Sequence, residues 1–244
     1  MAVFSFPSKK RTQLSALLSG MEGLGYLKAM TAEHMLIEAD RLLQSQQRER
    51  ALEIIRRALE KQFADPNTDI DSLLKTPFLL QKAGRKTEGW MTMMEIKDYF
   101  YEKCEENHYP NYKMLDIESK ISSAMCRFLQ SEKKTGYALY MAIKSYFEET
   151  TSTFYMMNDY MQKEICEGNP GIKRGYITAR KQAESYLNIR ISEAYITNAI
   201  LPHLMRARKK DRLPEVLGLI KEYISHIPKI DYIKLEEDII EAIG

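Results

Sequence analysis

The sequence contains few of the residues that disulfide scaffolds, zinc sites and membrane spans require. It has only three cysteines, which are widely spaced and form no CxxC pair: Cys104, Cys126 and Cys166. Such spacing is typical of reduced, buried thiols in a cytoplasmic protein. No run approaches the roughly 18 uncharged apolar residues of a membrane span, and the apolar run at the N-terminus is too short for a secretory signal. We therefore expect no membrane association and a cytoplasmic location.

Motifs of common catalytic and metal sites are also missing. The four histidines are scattered, and no HExxH or nucleophile-elbow pattern occurs. Gly20, Gly23 and Gly25 follow a predicted helix instead of a strand, which favours a hinge over a phosphate-binding loop. Four residues alternate as at the start of a calcium loop: Asp65, Asn67, Asp69 and Asp71. Because Ile70 stands where that loop needs glycine, this segment predicts a turn whose side chains cap a helix. We expect no catalytic residue, no metal, no cofactor and no enzymatic activity.

Apolar residues recur at helical spacing along most of the chain. A composition of 44% hydrophobic and 29% charged residues is typical of an ordered globular protein. The pattern predicts an all-α fold, either an irregular multi-helix bundle or a short solenoid of helical hairpins, with about nine to eleven helices. Segment 137–143 is too short for periodicity to separate strand from helix. A strand there would make residues 92–142 resemble a winged helix, but the apolar stripe continues through Ile143 and Phe147, which favours a helix.

Two polar connectors, at 84–90 and 168–171, divide the sequence into three predicted regions, unless the chain forms one compact domain. The regions are an N-terminal helical-hairpin region (1–84), a central aromatic-rich region (85–168) and a C-terminal basic region with an acidic tail (169–244). Over about 30 residues, five apolar positions of the first region resemble one tetratricopeptide unit: Ala39, Leu42, Ala51, Ile55 and Ala58. The resemblance implies an antiparallel helical hairpin, with Gln46 in place of the usual turn glycine.

The stretch from Lys173 to Arg212 has the most uneven charge, with ten basic and three acidic residues in a chain whose net charge is +2. Its apolar positions resemble a helix-turn-helix of the AxxYLxI kind found in bacterial DNA-binding modules: Ala183, Leu187, Ile189 and Ile196. Asn188 stands at the usual glycine position, where a left-handed conformation is required. Ser192 is expected to cap the second helix, and Pro202 to limit it to about nine residues. The acidic segment 213–244 could fold back on the cations.

Two functions fit these features. We predict a non-enzymatic helical adaptor that binds another protein, because the chain has a repeat-like hairpin and is rich in adaptable methionine (14) and in tyrosine (15). The alternative is a nucleic-acid-binding, regulatory protein that uses the basic stretch. The residues predicted for that alternative are Arg180, Lys181, Arg190, Thr197, Asn198, Arg206, Arg208, Lys209 and Lys210. The two functions differ in the salt dependence that binding should show.

Overall fold

The structure, a computed structural model, describes residues 30–243. Every regular element in this range is a helix, so the predicted all-α class is confirmed. The predicted hinge at Gly20, Gly23 and Gly25 lies outside the described residues. The chain divides into two compact units, residues 1–90 and 91–244, which are described separately below. The division into three regions stays a prediction.

The first unit is built on an antiparallel pair of helices, as the repeat-like pattern predicts. Its helices are α1 (Ala32–Gln44), α2 (Arg48–Ala64), α3 (Ile70–Leu73) and α4 (Lys75–Lys82), and α5 (Lys86–Glu106) begins in this unit. Helices α1 and α2 pack side by side, and Ala39, Ile55 and Leu80 lie in the core that they share with α4. Gln46 has a φ of 62° in the α1–α2 turn. It therefore takes the left-handed conformation for which glycine is usual.

The segment with alternating Asx residues forms the capped turn that its sequence predicts. Asp65 Oδ1 accepts a hydrogen bond from the Asn67 amide at 2.9 Å. Asp69 is the N-cap of α3, and its Oδ1 accepts from the Ser72 amide at 2.8 Å. Asp65 thus stabilises the turn, and Asp69 satisfies an amide that would otherwise lack a partner at the start of α3.

The second unit is arranged around one long helix. Its helices are α6 (Asn111–Ser131), α7 (Thr135–Cys166), α8 (Pro170–Arg190), α9 (Glu193–Arg206), α10 (Leu213–Ile224) and α11 (Tyr232–Ile243), with a 3-10 turn at Lys210–Arg212. Short connections join α7 to α6 and α8, and both of these helices pack against it. The first half of α7 also packs against α9 and α11. Leu139, Ile143 and Phe147 of α7 are buried in the core there. Segment 137–143 is therefore helical, which excludes the winged-helix alternative.

Several helices end in the same backbone motif, although glycine is present in only one of these ends. After α6, Lys133 has a φ of 61°, its amide donates to Gln130 O at 3.0 Å, and the Lys134 amide donates to Leu129 O at 3.0 Å. This pair of bonds defines a Schellman motif. Positive φ and the same pair of bonds recur after α1, α4, α5 and α9, at Gln46, Gly84, His108 and Arg208. The chain therefore places non-glycine residues in a conformation that costs them about 1 kcal/mol or more.

Candidate functional site

The predicted site residues lie on α8, on α9 and in the segment after α9. Two of the arginines on α8 face α7 and are paired there. Arg180 Nε lies 2.9 Å from Glu164 Oε2, and Arg190 forms an ion pair with Glu149. Only 17% of the Arg190 side chain is exposed. Glu184 of α8 adds a third acid, with its Oε2 3.6 Å from Arg180 Nη1. These acidic partners come from α7 and from α8 itself, not from the acidic segment 213–244.

The turn between α8 and α9 differs from the predicted helix-turn-helix. Asn188 is helical, because α8 continues to Arg190 and only Ile191 and Ser192 connect it to α9. Ser192 caps α9 as predicted, with its Oγ accepting from the Tyr195 amide at 3.4 Å. Pro202 lies inside α9 and does not end it. Because proline has no amide hydrogen, the carbonyl of Asn198, four residues earlier, loses its hydrogen bond within the helix. Asn198 is exposed, so water can supply the missing hydrogen bond.

The side chains of α8 are oriented differently from the predicted pattern. Ala183 is its one buried residue, and the stripe that packs on α7 continues through Arg180, Leu187 and Arg190 at spacings of three and four. Tyr186, the tyrosine of the AxxYLxI pattern, lies beside this stripe and is 61% exposed. Ile189, an apolar position of the same pattern, is 53% exposed. The face of α8 that packs on α7 thus contains two arginines, whereas Tyr186 and Ile189 lie outside it.

An open cleft of about 670 Å³ lies at the C-terminal end of α8. Lys181, Asn188 and Ile189 line it from α8, and Ser192 lines it from the start of α9. Lys181 is exposed, unlike the two arginines that face α7. Glu184 of α8, whose Oε2 lies 3.6 Å from Arg180 Nη1, also lines the cleft. This end of α8 therefore presents apolar and polar groups together with one exposed cation and one acid.

The remaining predicted residues are on α9 and immediately after it. Asn198 is exposed and Thr197 is half-buried. Arg206 Nη1 donates to Gln130 Oε1 at 3.3 Å. Arg208, Lys209 and Lys210 follow within four positions, and Arg208 is the residue with positive φ in the Schellman motif.

A cluster that the sequence analysis missed joins α6 to α9. His203 Nδ1 lies 3.5 Å from Cys126 Sγ and 2.7 Å from Gln130 Nε2. Burial raises the pKa of the Cys126 thiol to about 11 and lowers the pKa of His203 below its usual value. Both groups are therefore neutral near pH 7, whereas a nucleophilic cysteine needs a lowered pKa. Residues 77 positions apart give no local pattern by which sequence could find this cluster.

A second buried group, Glu148 on α7, also had no sequence signal. Its side chain is 2% exposed, and its Oε1 lies 3.6 Å from Lys144 Nζ. Within the described residues, Glu148 Oε2 has no hydrogen-bond partner. Burial raises the pKa of Glu148 to about 7 and outweighs the nearby lysine, which acts to lower it.

No protein-family model, curated protein or solved structure matches the chain. Across residues 30–243, no helix combines the length and apolarity needed to cross a bilayer. In the same range, histidine, cysteine, aspartate and glutamate side chains form no group of three that could hold a metal ion. The candidate functional surfaces are therefore those formed by the side chains that the fold exposes.

Proposed function

We propose that this chain is a non-enzymatic helical protein that binds another protein through the outer face of α8. We call this surface the α8 face and define it by Lys181, Tyr186 and Ile189. The observation that supports it is the burial pattern of α8, a 21-residue helix that buries only Ala183 while Tyr186 and Ile189 are more than half exposed. A helix with this pattern still has apolar surface to bury.

The side chains of the α8 face suit a protein interface. Fully burying a large apolar side chain is worth about 1.5–3 kcal/mol, so the exposed parts of Tyr186 and Ile189 offer about 1 kcal/mol each. Tyrosine is enriched among the residues that dominate binding energy, because it combines a large apolar ring with a hydroxyl. Lys181 and Asn188 supply the polar rim that surrounds the centre of such interfaces.

The charges of α8 also favour a protein partner over a nucleic acid. A nucleic-acid surface needs cations that are available to phosphates. Arg180 and Arg190 are already paired with Glu164 and Glu149, and releasing them would leave those acids near the phosphate backbone. With Lys181 as the exposed cation beside Ile189, the complementary partner surface is apolar with an acidic group at its edge.

The test is affinity capture from cells that express the chain, followed by measurement of binding to each captured partner after purification. Wild type is compared with Tyr186→Ser/Ile189→Ser and with a matched control, Tyr109→Ser/Ile233→Ser, which changes an exposed tyrosine and an exposed isoleucine elsewhere. We expect the α8 variant to bind a purified partner with an affinity about tenfold or more below that of wild type. The control should bind it within about twofold of wild type. Equal affinity for all three proteins would contradict the proposal.

Nucleic-acid binding is the second candidate, and one observation favours it. Arg208 and Lys210 are exposed, and neither side chain has an ion pair within residues 30–243. With Arg206 they form a short cationic segment at the end of α9, the helix whose Asn198 is exposed and could contact base edges.

Fluorescence anisotropy with labelled duplex and single-stranded DNA tests this candidate. The variant is Arg206→Gln/Arg208→Gln/Lys209→Gln/Lys210→Gln. If the segment binds phosphates, wild-type affinity falls steeply between about 50 and 200 mM salt, and the variant does not bind. Absence of binding at low salt would exclude nucleic acid. An apolar α8 interface should instead depend weakly on salt.

A further inference from the structure

A second cleft in residues 91–244, separate from the α8 face, combines cationic and apolar walls. It has a volume of about 510 Å³ and lies where the start of α7, the end of α11 and the segment after α9 meet. We call it the lysine cleft and define it by Lys133, Lys134, Lys209, Tyr137, Ile240 and Ile243. Its volume lies within the range of about 300–1,000 Å³ that is typical of ligand sites.

The backbone fixes where the lysines of this cleft stand. Lys134 and Lys209 occupy equivalent positions in two Schellman motifs, after α6 and after α9. The Lys134 amide donates to Leu129 O at 3.0 Å, and the Lys209 amide donates to Leu204 O at 2.9 Å. Two helix ends with the same hydrogen bonds thus bring ammonium groups to one cleft from sequence positions 75 residues apart.

The cleft also has an apolar part, and most of it is accessible. Tyr137 is 58% exposed and Ile240 is 47% exposed, whereas Ile243 is buried. Helix α11 directs Leu235, Ile239 and Ile243 into the core, which leaves Ile240 on the cleft side of that stripe. An apolar wall beside ammonium groups is suited to a ligand with one charged end and one apolar end.

Two of the three lysines of the cleft, Lys133 and Lys134, are available for an anion. Within residues 30–243, the side chains of Lys133 and Lys134 take part in no ion pair or hydrogen bond. Thr135 and Gly136 line the same cleft at the first turn of α7, where the helix dipole adds a partial positive charge. The lysines therefore favour an anionic group, and the apolar residues favour an apolar one. The helix end adds to the attraction for the anion.

We propose that the lysine cleft binds a small anionic amphiphile, a carboxylate or phosphate monoester attached to an apolar tail. The head group pairs with the ammonium groups of Lys134 and Lys209, and the tail packs on Tyr137 and Ile240. Neither half of such a ligand is sufficient, because an exposed ion pair alone contributes little and a short tail alone buries little area.

Isothermal titration calorimetry of the full chain at low ionic strength tests this with four probes: octanoate, octyl phosphate, octan-1-ol and inorganic phosphate. We expect octanoate or octyl phosphate to bind, and octan-1-ol and inorganic phosphate to bind about tenfold more weakly or not at all. Comparing the two amphiphiles identifies the preferred head group. If neither amphiphile binds at millimolar concentration, or if inorganic phosphate alone binds equally well, the proposal is wrong.

Variants locate the binding. Lys134→Gln/Lys209→Gln and Ile240→Glu change the two walls separately, and both change exposed or half-exposed side chains, so a thermal melt should confirm that they fold. We expect each variant to bind the amphiphile about tenfold more weakly or worse, whereas the control Lys173→Gln/Arg174→Gln on α8 binds it as wild type does. Unchanged binding in both cleft variants would overturn the assignment. Because the α8 variant Tyr186→Ser/Ile189→Ser leaves the cleft intact, failure of the α8 proposal and failure of this one are independent.

Discussion

The two halves of α7 belong to one unbroken helix, yet they are held by different forces. In the first half, Leu139, Ile143 and Phe147 are fully buried among side chains from α9, α10 and α11. In the part that begins at Glu149, which we call the second half, Met161 and Ile165 are exposed, and the ion pairs Glu149–Arg190 and Glu164–Arg180 join α7 to α8. Buried apolar area contributes more to stability than partly exposed ion pairs do. The first half therefore stabilises the unit, and the second half leaves surface available for binding.

The residues at the junction explain how α7 continues from one environment to the other. Four consecutive hydroxyl residues, 150–153, are buried. Thr150 Oγ1 donates to Tyr146 O at 2.6 Å, and Ser152 Oγ donates to Tyr112 O at 2.7 Å. The hydroxyls of these two residues are therefore satisfied inside the structure by backbone carbonyls. They allow α6 and α7 to pack closely where large apolar residues are absent.

The sharpest test of this comparison is truncation of one large residue in each half. Phe147→Ala removes a ring that lies 6.1 Å from the Tyr223 ring, centroid to centroid, in the core. We expect a loss of about 3–5 kcal/mol in the free energy of unfolding, because the ring leaves a cavity. Met161→Ala, on the same helix but 39% exposed, should cost less than about 1 kcal/mol. Urea unfolding measures both, and equal losses would contradict the comparison.

Glu148, at the boundary between the halves, should make stability depend on pH. Burial raises its pKa from 4.5 to about 7, against the opposing effect of Lys144 and with a small reinforcing effect of Glu118. The folded state therefore keeps a proton that the unfolded state releases above about pH 4.5. The contribution of protonated Glu148 to the free energy of unfolding is fully present below pH 4.5. It decreases by about 2–3 kcal/mol as pH rises from 4.5 to 7.

Glu148→Gln separates this effect from other titrations, because glutamine preserves the shape without the proton. Urea unfolding between pH 4.5 and 7.5 measures the free energy of unfolding. As pH rises over this range, it should fall by about 2–3 kcal/mol more in wild type than in the variant. Tyr232 and Ser122 also lie near Glu148, but neither titrates in this range. Parallel pH profiles for the two proteins would show that Glu148 is not responsible.

In the second half of α7, the ion pairs should contribute unequally. Arg190 is 17% exposed and also lies 5.6 Å from the centre of the Tyr195 ring, so Arg190→Gln should cost about 1–2 kcal/mol. Arg180 is 27% exposed, and Arg180→Gln should cost about 0.5–1 kcal/mol. Unfolding at low and high salt checks the order, with the Arg180 variant losing its difference from wild type first. A larger effect of Arg180 would reverse our ranking.

Sequence reasoning succeeded where periodicity and side-chain caps decide the local structure. The α1–α2 hairpin follows from apolar spacing, and the caps at Asp69 and Ser192 follow from residue type. It failed where a tertiary contact decides. Arg180 faces α7 because Glu164, 16 residues away, neutralises it there. As a result, Tyr186 and Ile189 lie on the outer face of α8. No pattern in the neighbouring sequence predicts their exposure.

The sequence could not show which of the predicted site residues are exposed, for the same reason. The excess of basic residues in 173–212 is visible in the sequence, but which of them are exposed depends on acids of α7 that lie outside the stretch. The lysine cleft was invisible, because Lys134 and Lys209 are 75 positions apart and meet only after α6 and α9 have both ended. Clusters of this kind depend on topology, which composition and spacing do not define.

The smallest predicted effects concern glycine substitutions near the ends of two helices, α8 and α9. Asn188 stands where the helix-turn-helix pattern has glycine, but it is helical, so Asn188→Gly should lower the free energy of unfolding by about 0.5 kcal/mol. Arg208 has a φ of 59° at the end of α9, so Arg208→Gly should raise it by about 0.5–1 kcal/mol, because glycine adopts that conformation without strain. Thermal unfolding of both variants should give shifts of opposite sign. Shifts of the same sign would mean that the ends of α8 and α9 do not differ as described.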